Sequence, residues 1–117
     1  MRRACGDEFY LKAMLQALGS LADYSSVGRE AFMADAMRQD ATICRLSVLG
    51  EAAKHVSDDV REKHPDVPWR YMTGLRDVLV HDYFGVDLNV LWGILETDLP
   101  PLRVQLTAIY ESVHSEG

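Results

Sequence analysis

The sequence predicts an all-α protein, and three observations lead to that class. Apolar residues recur every three or four positions over most of the chain, which is the spacing of amphipathic helices. No segment alternates apolar and polar residues as half-buried strands do. The four prolines fall between the apolar stretches, where proline can end or begin a helix. We therefore expect residues 1–117 to form a single domain, an up-and-down bundle of about five helices joined by short loops.

The first half of the chain predicts two main helices. Asp7 is placed to cap the first, whose apolar stripe ends near Ser25. The second begins near residue 36, after a short helical lead-in from about residue 29, and small residues at positions 50–53 would let a neighbouring helix approach closely. Its predicted inward face consists of Met37, Ala41, Cys44, Val48, Leu49, Ala52, Ala53 and Val56.

The second half predicts shorter helices with clear boundary residues. Ser57 is an N-cap for a short helix that Pro65 closes. Pro68 sits where the first turn of a helix tolerates proline, so the next helix runs from Trp69 to about Tyr83 and ends at Gly85. A further helix follows a cap at Asp87, and Pro100-Pro101 marks the entry to a last helix over residues 102–113. Trp69 and Trp92 are expected in the core or an interface.

Composition excludes several classes of protein. The two cysteines, Cys5 and Cys44, lie far apart, which argues against a disulfide framework or structural zinc site and favours the cytoplasm. No stretch is apolar enough to span a membrane, and no signal peptide is evident. The net charge of −6 argues against sequence-blind nucleic-acid binding. The acidic excess is concentrated after residue 81, where Arg103 is the only basic residue.

The stretch Gly74–Gly85 combines Arg76, His81 and Tyr83. On an ideal helix Arg76 and Tyr83 lie almost on one line, whereas His81 is displaced from Arg76 by about 140°. Two arrangements could bring the arginine and the histidine together. Either the helix changes near its glycine end, or groups from two chains meet in one cleft across a symmetric interface. We favour the second arrangement.

An arginine beside a histidine suits phosphate-ester chemistry. The guanidinium can bind a phosphate and stabilise charge in the transition state. The imidazole can take a proton from a ribose 2′-hydroxyl or give one to a leaving 5′-oxygen, and no metal is required. The alternative reading is that Arg76 pairs with Asp77 or Asp82 on the surface and His81 caps the helix C-terminus. Glu51 could point into the bundle towards the arginine, or be solvated.

The order and spacing of several blocks resemble the HepT family, the small HEPN-domain partners of MntA-type minimal nucleotidyltransferases. The match covers about residues 36–106. Its blocks are Gln39-Asp40, Gly50-Glu-Ala-Ala-Lys54, His64-Pro65, Pro68-Trp69-Arg70, Gly74-Leu-Arg-Asp77, His81-Asp-Tyr-Phe-Gly-Val-Asp87, Trp92 and Asp98-Leu-Pro100.

The resemblance implies a homodimeric HEPN bundle and a metal-independent endoribonuclease toxin acting on RNA, with tRNA a plausible target. Arg76 and His81 of both protomers would line one cleft. It further implies a cognate MntA-like nucleotidyltransferase that silences the toxin by transferring AMP from ATP to Tyr83, with no cofactor held by the toxin itself. Asp77 stands where many relatives have asparagine and could pair with Arg76.

Two other functions stay open at this stage. The chain could be a non-catalytic nucleotide- or partner-binding subunit that docks the nucleotidyltransferase, a reading that the acidic charge balance favours. It could also be a purely structural helical dimer. The intact Arg76/His81 pair favours the nuclease.

Overall fold

The computed structural model describes residues 2–81 and 86–116, with the side chains of residues 6–75 and 86–115. All regular secondary structure in this part of the chain is helical, which confirms the predicted all-α class. None of the helices there is long and apolar enough to cross a membrane. The helices are α1 (Arg2–Ser25), α2 (Arg29–Met33), α3 (Ala36–His55), α4 (Asp58–Lys63), α5 (Trp69–His81), α6 (Leu88–Gly93) and α7 (Leu99–Glu116), with a π-helical segment at Ile94–Asp98.

Most of the predicted boundaries agree with the structure. The lead-in forms the short helix α2, and α4 ends shortly before Pro65. The side chain of Ser57 accepts a hydrogen bond from the Val60 amide, and that of Asp87 accepts one from the Asn89 amide. Both residues are therefore N-caps, as their position before a helical pattern predicts.

The predicted break before Pro100 is wrong. The chain is helical without interruption from Leu88 to Glu116, and the two prolines lie in the first turn of α7. The π-helical segment precedes them, and there the Leu99 amide donates to the Ile94 carbonyl, five residues back. Proline removes an amide donor and crowds the preceding turn of an α-helix. The wider turn at this point accommodates the prolines without ending the helix.

The core is organised around α3, which packs against both α1 and α5. Its buried residues include Leu46, Leu49 and Ala53, and Gly50 is buried beside them. Val56, directly after the helix, is also buried. The buried stripe of α1 and the inward residues of α7 complete the core. Trp69 and Trp92 are both buried, as predicted, and the Trp92 ring lies 5.4 Å from that of Phe32.

The predicted inward face of α3 is partly wrong. Met37 is 84% exposed, Val48 is 38% exposed and Cys44 is exposed. This helix carries two apolar stripes, and the spacing of apolar residues alone does not show which of them is buried. One stripe, which contains Leu46 and Leu49, is buried in the bundle, and the other faces outward.

Asp7 does not cap the first helix. Because α1 begins at Arg2, Asp7 lies in its second turn, where the helix amides already have intrahelical acceptors. Asp7 is only 4% exposed, and its carboxylate accepts two hydrogen bonds of 2.7 Å from Ser57, one from the amide and one from the hydroxyl. The same hydroxyl caps α4 through the Val60 amide. Asp7 thus ties α1 to the start of α4.

This tie predicts a clear difference between two substitutions of Asp7. Asp7→Ala leaves the partly buried Ser57 amide without its acceptor and should lower the free energy of unfolding by about 1–3 kcal/mol. Asp7→Asn retains an acceptor for the Ser57 amide and should cost less than half as much. Urea unfolding of both variants measures the difference, with Asp23→Ala as a control for an exposed carboxylate on α1. Equal losses for alanine and asparagine would contradict the proposed tie.

Candidate active site and the groove beside it

The helix that carries the arginine–histidine motif is held firmly at its start. The Met72 amide donates to the Pro68 carbonyl, and the Trp69 indole donates to the His64 carbonyl at 3.0 Å. Trp69, Met72 and Leu75 are buried. Since α5 also packs along α3, its orientation is set over the two turns that precede the motif.

The backbone of α5 contains Arg76, Asp77 and His81 in one continuous α-helix. Their side chains lie outside the described residues, and Tyr83 lies outside them altogether. Because the helix does not end before His81, positions 76 and 81 stay displaced by about 140° around its axis. The helix is therefore not frayed between these two positions.

Glu51, the carboxylate that could have pointed into the bundle towards the arginine, is instead exposed on the surface of α3. Half of the Glu51 side chain is exposed, and its Oε2 lies 3.4 Å from Nε2 of His55, one turn later. The His55 ring stacks on Tyr10 of α1, with 4.8 Å between ring centroids. Phe9, Ala13 and Val48 border the same shallow depression between α1 and α3. This surface adjoins the outward apolar stripe of α3.

A groove of about 690 Å³ runs between α5 and the helical run that begins at Leu88. At its wall the Tyr71 hydroxyl donates to Asp98 Oδ2 at 2.6 Å. Partial burial of the ring, followed by the hydrogen bond and negative charge of Asp98, raises the pKa of Tyr71 above its ordinary value. The phenol therefore stays protonated at neutral pH and keeps Asp98 in place as an acceptor.

Sequence reasoning did not identify this groove. Tyr71 and Asp98 are 27 residues apart, so no local pattern connects them. One signal was available, because Arg70 and Gly74 lie four residues apart on the predicted helix and would share a face with His81. Among the residues whose side chains are described, no group of three or more histidine, cysteine, aspartate or glutamate residues could hold a metal ion.

Comparison with known proteins identifies the class and then the family. Residues 14–109 match the family described as HepT-like, ribonuclease HepT-like. The chain is 38% identical over 104 residues to a Thermococcus cleftensis protein named "Probable ribonuclease HepT", covering 88% of this chain and 93% of that protein. A Methanocaldococcus jannaschii protein provisionally named an RNase is 33% identical over 101 residues, covering 86% and 93%.

A third relative agrees with these two. A protein of Caldanaerobacter subterraneus, also provisionally named an RNase, is 34% identical over 103 residues, covering 87% of this chain and 92% of its own. No solved structure shows a significant match. The protein is thus an all-α domain of a ribonuclease type. It belongs to the HepT-like family.

Proposed function

We propose that this protein is a metal-independent endoribonuclease toxin of a type VII-like toxin–antitoxin pair, with tRNA among its targets. Arg76 and His81 carry out the cleavage in a cleft between two protomers. A cognate MntA-like nucleotidyltransferase silences the toxin by transferring AMP to Tyr83. The observation that carries the proposal is membership of the HepT-like ribonuclease family, with relatives named for RNA cleavage, together with an arginine–histidine pair on α5.

The chemistry requires one proton acceptor and one proton donor. The ribose 2′-oxygen attacks the adjacent phosphorus, the bond from phosphorus to the 5′-oxygen breaks, and a 2′,3′-cyclic phosphate forms. One His81 accepts the 2′-hydroxyl proton, and the partner's His81 donates a proton to the leaving 5′-oxygen. Arg76 binds the phosphate and stabilises its added negative charge in the transition state.

A second protomer would bring an arginine and a histidine together, which the geometry of one α5 helix does not do. Positions 76 and 81 are displaced by about 140° around the axis of one helix, so a symmetric pair of helices would allow an arginine and a histidine from different chains to face one phosphate. The outward stripe of α3 gives a surface for the pairing. Its apolar residues Met37, Ala41, Cys44 and Val48 follow the alternating four- and three-residue spacing of a helix–helix seam.

The position of α3 connects this surface to the motif. Since α3 packs directly against α5, a seam on its outer face would place each α5 one helix away from the dimer interface. Glu51, on the same helix, would stand beside the seam and support the cleft. Asp77 adjoins Arg76 in the sequence and would limit how strongly the guanidinium holds phosphate.

The proposed regulation by AMP transfer rests on the resemblance of the Tyr83 motif to that of the HepT family. The phenolic oxygen attacks the α-phosphorus of ATP, a bond from that oxygen to phosphorus forms, and pyrophosphate leaves. The added phosphate would occupy the anion site beside Arg76 and repel the RNA backbone. The nucleotidyltransferase supplies the ATP site, so the toxin needs no cofactor of its own.

A second function is favoured by one observation. The net charge of −6 and the acidic segment after residue 81 provide less attraction for RNA than nucleases usually have. On this alternative the protein is a non-catalytic subunit that docks the nucleotidyltransferase and presents Tyr83 to it. The nuclease function predicts that mutation of Arg76 or His81 abolishes toxicity, and the non-catalytic function does not.

The nuclease proposal predicts that Arg76→Ala and His81→Ala abolish growth arrest and lower RNA cleavage by about 100-fold or more. Arg76→Lys should retain little activity, because an ammonium group cannot bind phosphate bidentately. Sequencing of RNA 3′ ends and assays with purified protein measure the effect, and a 2′-deoxy substitution at the cleaved position should block the reaction. His64→Ala is the histidine control. If expression of wild type and of the variants has equally little effect on cell growth, the non-catalytic alternative is favoured.

The dimer proposal predicts that a charge in the α3 seam separates the protomers. Val48→Glu should convert the dimer to a folded monomer in sedimentation velocity and abolish cleavage, because a buried unpaired carboxylate is costly. Val104→Glu, at a residue that is 72% exposed on α7, is the matched control. A mixed dimer of wild-type and Arg76→Ala chains keeps both His81 residues and one Arg76, so it should retain part of the activity that the Arg76→Ala homodimer loses. An unchanged dimer with Val48→Glu would rule out this seam.

The regulatory proposal predicts that the cognate transferase and ATP add the mass of an adenylyl group to wild type and not to Tyr83→Phe. Intact-mass spectrometry measures the transfer. Tyr83→Phe should remain toxic when the transferase is present, because the cleavage residues are untouched. Equal modification of Tyr83→Phe would move the acceptor to another residue.

A further inference from the structure

The groove between α5 and the helical run that begins at Leu88 has open space beside two glycines that line it. Gly74 and Gly93 both line the groove, and a Cβ at either would meet nothing within 4 Å. The walls are otherwise mainly apolar, with Val90 60% exposed at the rim. The volume of about 690 Å³ lies within the range of about 300–1,000 Å³ that small-molecule sites occupy. A planar group the size of a nucleobase would fit there.

The polar groups of the groove have defined chemistry. Asp98 accepts the Tyr71 hydrogen bond through Oδ2, and an ionised carboxylate has about four acceptor sites, of which the phenol uses one. Its remaining acceptor sites are therefore open to N–H donors. Arg70 also lines the groove and supplies a permanent cation. An anionic ligand with an apolar face and an edge of N–H donors would be complementary to these groups.

The groove is aligned with the motif along α5. Arg70, Gly74 and His81 occupy positions 0, 4 and 11 of one stripe, which agree within about 40° around the axis. Gly74 precedes His81 by seven residues, which is about 10 Å along the helix. A dinucleotide can span that distance. The groove is therefore close enough to receive a base next to a phosphate bound at the motif.

We propose that this groove binds an unpaired guanine of the RNA substrate, next to the cleaved bond. Guanine presents an imino and an amino N–H on one edge, and both can donate to the Asp98 carboxylate. Uracil presents a single imino N–H between two carbonyl oxygens there, so a carboxylate that accepts this N–H also meets the negative oxygen of a carbonyl. The base lies on the apolar walls, and Arg70 contacts the flanking phosphate. This subsite rests on the proposed function for the position of the cleaved bond, although binding itself does not require cleavage.

The test measures binding without cleavage. Short single-stranded RNAs with 2′-O-methyl groups, identical except for one guanine or uracil, are titrated into the full-length protein and followed by fluorescence anisotropy. We expect the guanine oligonucleotide to bind about 5- to 100-fold more tightly, the range expected for a pair of directed hydrogen bonds. In amide NMR spectra, Gly74 and Gly93 should shift on addition of the guanine oligonucleotide.

Two kinds of groove variant test separately the hydrogen bonds to guanine and the room that the base needs. Asp98→Asn retains an acceptor for Tyr71 but loses the charge, and it should reduce the guanine preference to under about twofold. Gly74→Phe should fill the groove and weaken binding at least tenfold, with Gly74→Ala giving a smaller loss. Gly6→Phe, at a glycine of α1 with nothing within 4 Å of an added Cβ, controls for the bulk of the new side chain.

The outcomes distinguish this subsite from the nuclease proposal. If the protein cleaves no RNA but prefers guanine, and Asp98→Asn removes that preference, the guanine subsite is supported and the nuclease proposal fails. If the protein cleaves RNA, and neither Asp98→Asn nor Gly74→Phe changes its preference for guanine, the proposed subsite is wrong while the nuclease proposal stands. If Gly74→Phe converts the dimer to a monomer and wild type does not distinguish the oligonucleotides, the groove is a protein interface and the inference is wrong.

Discussion

The packing of α3 between α1 and α5 is the constraint on which the rest of the structure depends. It fixes the helix that carries the motif, and it uses only one of the two apolar stripes of α3. A helix in this position has no freedom to rotate, because rotation would expose Leu46 and Leu49 to bury Cys44 and Val48. The outward stripe is therefore available for a second chain at no cost to the core.

The Asp7 tie adds a polar constraint to this apolar one. A single carboxylate holds the amide and hydroxyl of Ser57, so the end of α3, the start of α4 and the first turns of α1 are fixed relative to each other. The loop after α4 then leads into Trp69, whose indole is bonded to the His64 carbonyl. The entry of α5 is thus determined by hydrogen bonds that begin 62 residues earlier at Asp7 (69 − 7).

Local signals in the sequence predicted much of this fold, and long-range contacts account for the parts that it did not predict. Ser57 and Asp87 were recognisable as caps because their effect is confined to one turn. Asp7 had the same appearance, and only its contact with Ser57 across the bundle distinguishes it. The two stripes of α3 have the same period, so their burial depends on which neighbours are present. The motif was visible in the sequence, whereas the Tyr71–Asp98 pair arises only when α5 meets the later helices.

The π-helical segment before α7 also has a consequence for how the family can vary. A π turn contains one residue more than the α-helical turn it replaces, and its wider turn absorbs that residue, so the helix after it keeps almost the same facing. Deleting one residue between Ile94 and Asp98 would therefore restore an ordinary helix, and Leu102, Leu106 and Ile109 would stay in the core with Leu91. Deleting one residue from α3 would instead turn every later residue of that helix by about 100°. Homologues should therefore tolerate the loss of one residue at the π turn more readily than in α3.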